Sequence, residues 1–295
     1  MSTFQDDEAD IEGSRAPLLE HLVELRQRLI ICAAALLVAF VFCFIVSKDI
    51  YLLLLRPFQM ASGLLAEQKQ AHHGAFDLVF AVTGIHHVQA APEALKLVFT
   101  APLEFFFTKM KLSMFGAVVI TFPILAWQLY RFVAPGLYRR ERKAFLPFLL
   151  AAPVLFVMGA SLVYFIMLPF VLWFSLSQQI VSASIQVELL PKVSDYLNLV
   201  MQLLLAFGLC FQLPVVLALA GLAGLISAKT LAGGRRYAFV GIIVVAALVT
   251  PPDMISPFLL AIPIYLLYEI SILCVHLIEK RRAREESREL AVRQG

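Results

Sequence analysis

Charge is what this chain has least of. Asp, Glu, Lys and Arg make up 15% of its 295 residues, against roughly 25% in soluble domains. With 61% hydrophobic residues and a mean hydropathy of +0.85, too little polar surface is left to cover a soluble core. Cysteine is scarce as well. Cys32, Cys43, Cys210 and Cys274 each fall inside an apolar run, with no C-x-x-C spacing. They read as small buried hydrophobes, not as a disulfide framework or a metal site. The nucleotide-binding G-x-x-x-x-G-K-[ST], the zinc-binding H-E-x-x-H and the nucleophile elbow G-x-S-x-G do not occur, which argues against a nucleotide-driven pump or a motif-bearing membrane protease. No catalytic residue and no cofactor is assigned. His72, His73, His86 and His87 lack Cys, Asp or Glu at ligand spacing around both pairs, so no metal site is expected. The start is acidic (Asp6, Asp7, Glu8, Asp10), unlike the short basic region that opens a cleavable signal. There is no internal repeat, which argues against the inverted-repeat design of many secondary transporters.

What the chain does have is long apolar runs. Six stand out, at about 29–47, 110–134, 145–173, 196–224, 237–250 and 257–277. Backbone groups in hydrocarbon must pair internally, so each run is expected to be a helix. The fold class is an all-α polytopic membrane protein with six spans. The fifth run would reach only about 21–24 Å, short of a hydrocarbon core of roughly 30 Å, and the sixth is barely long enough. The hairpin between them, "TPPDMISP", is tight and proline-rich. Two short C-terminal spans predict local bilayer thinning. Basic residues gather on one side: Arg15, Arg26 and Arg28, then Arg139, Arg140, Arg142 and Lys143, then Lys229, Arg235 and Arg236, then the tail from Lys280. The positive-inside rule puts both termini in the cytoplasm. The organisation is a polar tail over 1–16, a membrane domain over 17–277 with an outer loop at about 48–109, and a charged, helical cytoplasmic tail over 278–295.

Polar residues inside the runs are few. Gln212 in "FGLCFQLPV" is the clearest, with Asn198 and Gln202 nearer one end. Each is either a functional group or a helix–helix hydrogen bond. A second oddity precedes the first span. In "PLLEHLVELRQRL", helical spacing gathers Leu18, Leu22, Leu25 and Leu29 into one stripe, with Glu20, Glu24, Gln27 and Arg28 opposite. Glu24 and Arg28 are spaced to pair on the surface for a few tenths of a kcal/mol. An interfacial helix explains the leucines and arginines, but not a carboxylate where positive-inside logic wants cations. "APGLYRRERK" repeats the pattern, with Glu141 set among four cations. Two isolated acids on one rim suit a cationic ligand. The alternative is a pair of ordinary charged segments held by weak ion pairs.

The ordered series "HLVELRQRL", "APGLYRRERK", "FGLCFQLPV" and "LVTPPDMISP" resembles the TatC family, over roughly residues 17–277. That resemblance implies a concave, glove-like bundle in the bacterial inner (cytoplasmic) membrane. It implies a receptor for the twin-arginine signal peptides of folded precursor proteins, working with single-span TatA and TatB and driven by the proton-motive force without ATP. Partners would be TatA, TatB, signal peptides, membrane lipid and further copies of the receptor, with no nucleic acid. By the same resemblance, Glu24, Arg26, Arg28, Phe132, Leu137 and Glu141 fall on signal-peptide-binding positions. Pro57, Pro123, Tyr164, Gln212 and Asp253 fall on transport or structural positions. The chain departs from the family in carrying Gln212 where many relatives have a glutamate, in Pro257, and in a longer first outer loop. The rival readings are a small-solute secondary transporter or channel, short of ionisable residues to line a path, and a structural assembly hub.

Overall fold

The computed structural model describes residues 3–71, 97–133, 141–178, 180–181, 186–187, 191–250 and 256–294. Helix α1 (Thr3–Ile45) carries the first span and runs on from the polar tail without a break. Ser47 bonds the Phe44 carbonyl at 2.9 Å, and α2 (Ser47–Ala71) starts at once. Then come α3 (Glu104–Val133) and α4 (Glu141–Leu162). A π-helical turn (Val163–Met167) leads into α5 (Leu168–Ser177). Strands β1 (Ile180–Val181) and β2 (Gln186–Val187) form a small antiparallel pair, with Ile180 opposite Val187 and Val181 opposite Gln186. Helices α6 (Val193–Cys210) and α7 (Leu213–Leu222) form one run with a step at Phe211 and Gln212. The short α8 (Ala228–Gly233), α9 (Arg235–Val249) and α10 (Ser256–Gln294) complete the fold.

Five stretches among the described residues are long and apolar enough to cross a membrane: Leu22–Ile45, Glu104–Leu129, Phe148–Ser177, Val193–Leu222 and Pro257–Arg281. The remaining expected span, the fifth, corresponds to α9, with 15 residues. Shortness belongs to α9 alone, because α10 runs well past the expected 277. The segment read as an outer loop over 48–109 begins with all of α2.

Successive long helices run antiparallel. Phe44 near the end of α1 lies under Lys109 near the start of α3, with Nζ 4.2 Å from the ring centroid. The α1–α3 seam is close because its residues are small. A Cβ on Gly116 would stand 2.9 Å from Cys43 Sγ. Such small-residue seams let membrane helices pack without a hydrophobic driving force between them. The α4–α6 seam interlocks rings with glycines. Phe156 covers Gly208, and Phe211 covers Gly159. Phe156 also stacks on Phe122 of α3, centroids 4.1 Å apart. The core is mostly apolar, with Leu112, Met167, Leu168, Leu197, Leu203 and Phe207 buried around these rings, and its buried hydroxyls Ser113, Thr121 and Ser271 bond carbonyls of their own helices.

The far end of the bundle is tied by polar contacts. Glu104 accepts from Ser194 Oγ at 2.5 Å and from the Thr100 amide at 2.8 Å. The Val98 amide bonds the Pro191 carbonyl at 3.4 Å, and Val193 returns one to Val98 at 3.2 Å. At the near end, where α1 starts and α10 finishes, α7 closes in a Schellman turn. Leu225 N–H reaches the Ala220 carbonyl and Gly224 N–H the Gly221 carbonyl. Gly224 sits at φ 68, a conformation that costs a glycine little.

Candidate functional site

The leucine stripe of α1 faces out, not in. Leu22 and Leu29 are 59% and 58% exposed. The Arg28 side chain is only 13% exposed and that of Glu24 34%, and the two form an ion pair. The pairing follows the sequence, but its placement inverts the expected surface pair. In lipid the apolar stripe is the outer surface, so the charged stripe turns toward protein. The pair is therefore better shielded than a solvated i,i+4 pair, whose worth is a few tenths of a kcal/mol. A carboxylate offers about four acceptor directions, more than the pair with Arg28 uses. Arg26 is exposed beside it. Among the described residues, the buried Arg28 Nε has no partner.

Antiparallel packing carries this pair to a particular level. From Cys43 back to Glu24, α1 covers about 28 Å, and from Gly116 forward to Val133, α3 covers about 26 Å. Cys43 and Gly116 touch. Glu24 therefore stands level with the end of α3, and α4 begins at Glu141 close beyond in sequence. The two segments that carry the isolated acids share one end of the bundle.

Gln212 sits at the step between α6 and α7. Its Nε2 donates to the Ala152 carbonyl of α4 at 3.0 Å and to the Gly208 carbonyl at 3.4 Å. It is a helix–helix bond at the point where the run changes direction. Pro214, in the first turn of α7, cannot donate to a preceding carbonyl.

Pro57 and Tyr164 turn out to be partners. Pro57 has no N–H, so the Leu53 carbonyl one turn back lacks its helical donor. Tyr164, in the π-helical turn, donates its hydroxyl to that carbonyl at 2.7 Å. Tyr196 of α6 donates to the adjacent Leu54 carbonyl at 2.6 Å, and its ring meets Phe58 edge-on at 5.4 Å. Two tyrosines thus pin α2 beside Pro57 across the far end.

The chain matches the family described as Sec-independent protein translocase protein (TatC) over residues 20–263. The chain belongs to the TatC family. A TatC from Magnetococcus marinus is 40% identical over 282 residues, covering 96% of this chain and 92% of its own. The Escherichia coli K12 TatC is 32% identical over 271 residues, covering 92% of each. A crystal structure of a twin arginine translocase receptor, TatC, superposes with a TM-score of 0.66 at 32% identity, covering 88% of this chain and 99% of that one. TatC proteins are components of a protein translocase, not enzymes, and this one is a multi-pass membrane protein.

Of the TatC-motif positions, Pro123 lies exposed in α3. Phe132 lies in the last turn of the same helix and Glu141 opens α4; the side chains of both, and Leu137 and Asp253 entirely, lie outside the described residues. The four cysteines are free thiols, and Cys43 alone is fully buried. Among the described residues no group of His, Cys, Asp and Glu is arranged to hold a metal.

One polar pair inside the TatC fold escaped the sequence reading. Arg235 grips Glu269 of α10 through Nε at 2.8 Å and Nη2 at 2.9 Å. Tyr265 adds a bond to Glu269 at 3.1 Å. Glu269 falls inside the apolar stretch Pro257–Arg281, so it was an intramembrane carboxylate in plain view. The signal was a lone acid in "LLYEISIL" facing a lone arginine pair at the start of the previous span.

Proposed function

We propose that this chain is the signal-peptide receptor subunit of a twin-arginine translocase in the bacterial inner membrane. Folded precursors would present their paired arginines to Glu24 and Glu141 at the cytoplasmic rim, with Phe132 and Leu137 beside the site. Export would then proceed with TatA and TatB at the expense of the proton-motive force, with both termini inside the cell. One observation carries the reading beyond family membership: a shielded carboxylate, Glu24, at the foot of the first span, level with the segment that carries Glu141. Paired guanidiniums select carboxylates in a fixed fork geometry. A lysine matches the charge but not the planar fork, which gives such a receptor a physical reason to prefer Arg-Arg.

The test is crosslinking of a twin-arginine signal peptide to the receptor in membrane vesicles, across peptide concentrations and at matched receptor levels. Glu24→Ala and Glu141→Ala should each weaken capture tenfold or more, or about 1.4 kcal/mol. Losing one member of a desolvated pair costs about 2–5 kcal/mol. Glu20→Ala, one turn away, should change little. A Lys-Lys peptide should lose less than the Arg-Arg peptide. Equal losses for the two peptides would mean general electrostatics, and unchanged capture in both variants would remove the site.

A further inference from the structure

Helix α8 lies between the fourth and fifth expected spans. At its start, Ala228 gives its backbone N–H to Glu279 of α10 at 3.0 Å. Midway, the Leu231 carbonyl accepts the Tyr268 hydroxyl at 2.8 Å. Just past its end, Arg235 meets Glu269. Glu279 and Glu269 lie about 15 Å apart along α10. The chain therefore leaves the near end of α7, turns at Gly224, and runs back beside α10 by about 10 Å before α9 begins, the side chains of Glu279 and Arg235 spanning the rest. Both levels fall within the apolar stretch Pro257–Arg281.

The face this leaves is cationic and open. Arg236 and Lys229 are exposed, and Tyr237 is 76% exposed. From Ser227 to Val249 the sequence holds no Asp or Glu. Glu269 is occupied by Arg235 and Tyr265, and Glu279 by the Ala228 amide. Below Tyr237 an apolar stripe follows at helical spacing, Val240, Val244 and Leu248, all exposed. Uncompensated guanidiniums at this depth are costly in hydrocarbon. A cationic head above an apolar track matches one kind of molecule.

We infer that this face binds an anionic phospholipid of the leaflet at the near end. Its phosphate lies against Arg236, Lys229 and the outward edge of Arg235. Its acyl chain follows Val240, Val244 and Leu248, with Tyr237 at the boundary between headgroup and chain. The headgroup is thereby drawn below the level of the neighbouring spans. The inference is independent of signal recognition, since none of these residues belongs to the Glu24 site.

The test uses the full chain with Trp127→Phe, Trp173→Phe and Tyr237→Trp, reconstituted in mixed vesicles. Quenching of the single tryptophan is compared for brominated phosphatidylglycerol and brominated phosphatidylcholine. Phosphatidylglycerol should be preferred, and each of Arg236→Gln and Lys229→Gln should cut that preference about fivefold. Lys111→Gln on α3, exposed elsewhere, should leave it unchanged. Native mass spectrometry of the chain with its own aromatic residues supplies a second readout: phosphatidylglycerol retained after delipidation should fall in Arg236→Gln/Lys229→Gln. Equal quenching by the two lipids overturns the inference, as does a preference that survives the double substitution. Quenching by neither lipid would mean that a second copy covers the face, and would overturn it too.

Discussion

Replacing Tyr164 by Phe tests whether Pro57 makes α2 depend on a borrowed donor. In an uninterrupted helix the amide at position 57 would serve the carbonyl at 53, and proline has none. The Tyr164 hydroxyl takes its place at 2.7 Å. Leu53 is about half exposed, so a polar solvent group can partly replace the lost donor. The cost is then that of an ordinary hydrogen bond, about 1 kcal/mol, not the 3 kcal/mol that a sealed orphan can reach. In a chain of this size that is a fall of roughly 2–3 °C in Tm. The decisive measurement is a double-mutant cycle in detergent, followed by thermal unfolding. In a Pro57→Ala background the new amide serves Leu53, and Tyr164→Phe should cost only a few tenths of a kcal/mol. The coupling should therefore be about 1 kcal/mol, within the range for residues that share a partner. Tyr196→Phe is the control. Its 2.6 Å bond to the Leu54 carbonyl lies one residue away, where the Phe58 amide is still present, so its cost should be similar in both backgrounds. If Tyr164→Phe costs the same with Pro57 intact and in the Pro57→Ala background, the borrowed-donor account is wrong.

Two further substitutions separate packing from transport. Gly208→Ala would set a Cβ 2.5 Å from a Phe156 ring carbon, and Phe156 is backed by Phe122. It should cost about 1–3 kcal/mol in thermal unfolding, and Phe156→Leu should recover part of the loss. Gln212→Leu gives up a single interhelical bond, worth about 0.6 kcal/mol on average in membranes. It should barely move Tm while lowering export of a twin-arginine precursor about tenfold at matched levels, and normal export would reduce Gln212 to packing.

The runs that became α1, α3, α4 to α5 and α6 to α7 were legible because lipid demands some 20 apolar residues at a stretch. Helix α2 was hidden because its apolar run is brief and Arg56 and Pro57 interrupt it. Its signal was subtler: Leu54, Phe58 and Ala61 recur at helical spacing, and all three are buried. The spacing also found the Glu24–Arg28 pair and the two opposed faces of α1. It could not say which face meets protein. In water the leucine face would pack inward, whereas beside lipid the order reverses. The four cysteines were read as small buried hydrophobes, and Cys43 fits that closely, with its sulfur against Gly116. The partner of Pro57 was not legible, because Tyr164 is far away in sequence and only folding brings the two together.

The length of a span measures the membrane only when both of its ends start at the surface. The short apolar run at 237–250 by itself predicts thinning around both C-terminal spans. The structure divides that inference. Helix α10 carries a span-length stretch from Pro257 to Arg281, about 37 Å, and needs no thinning. Helix α9 covers about 22 Å because α8 has already descended about 10 Å beside α10, and the two lengths together match a hydrocarbon core of roughly 30 Å. Only the outward face of α9 then presents a shortened apolar surface, with cations at its head. Any local thinning is therefore confined to that one face. The Arg235–Glu269 pair sets its depth, because it fixes where α8 ends and α9 begins.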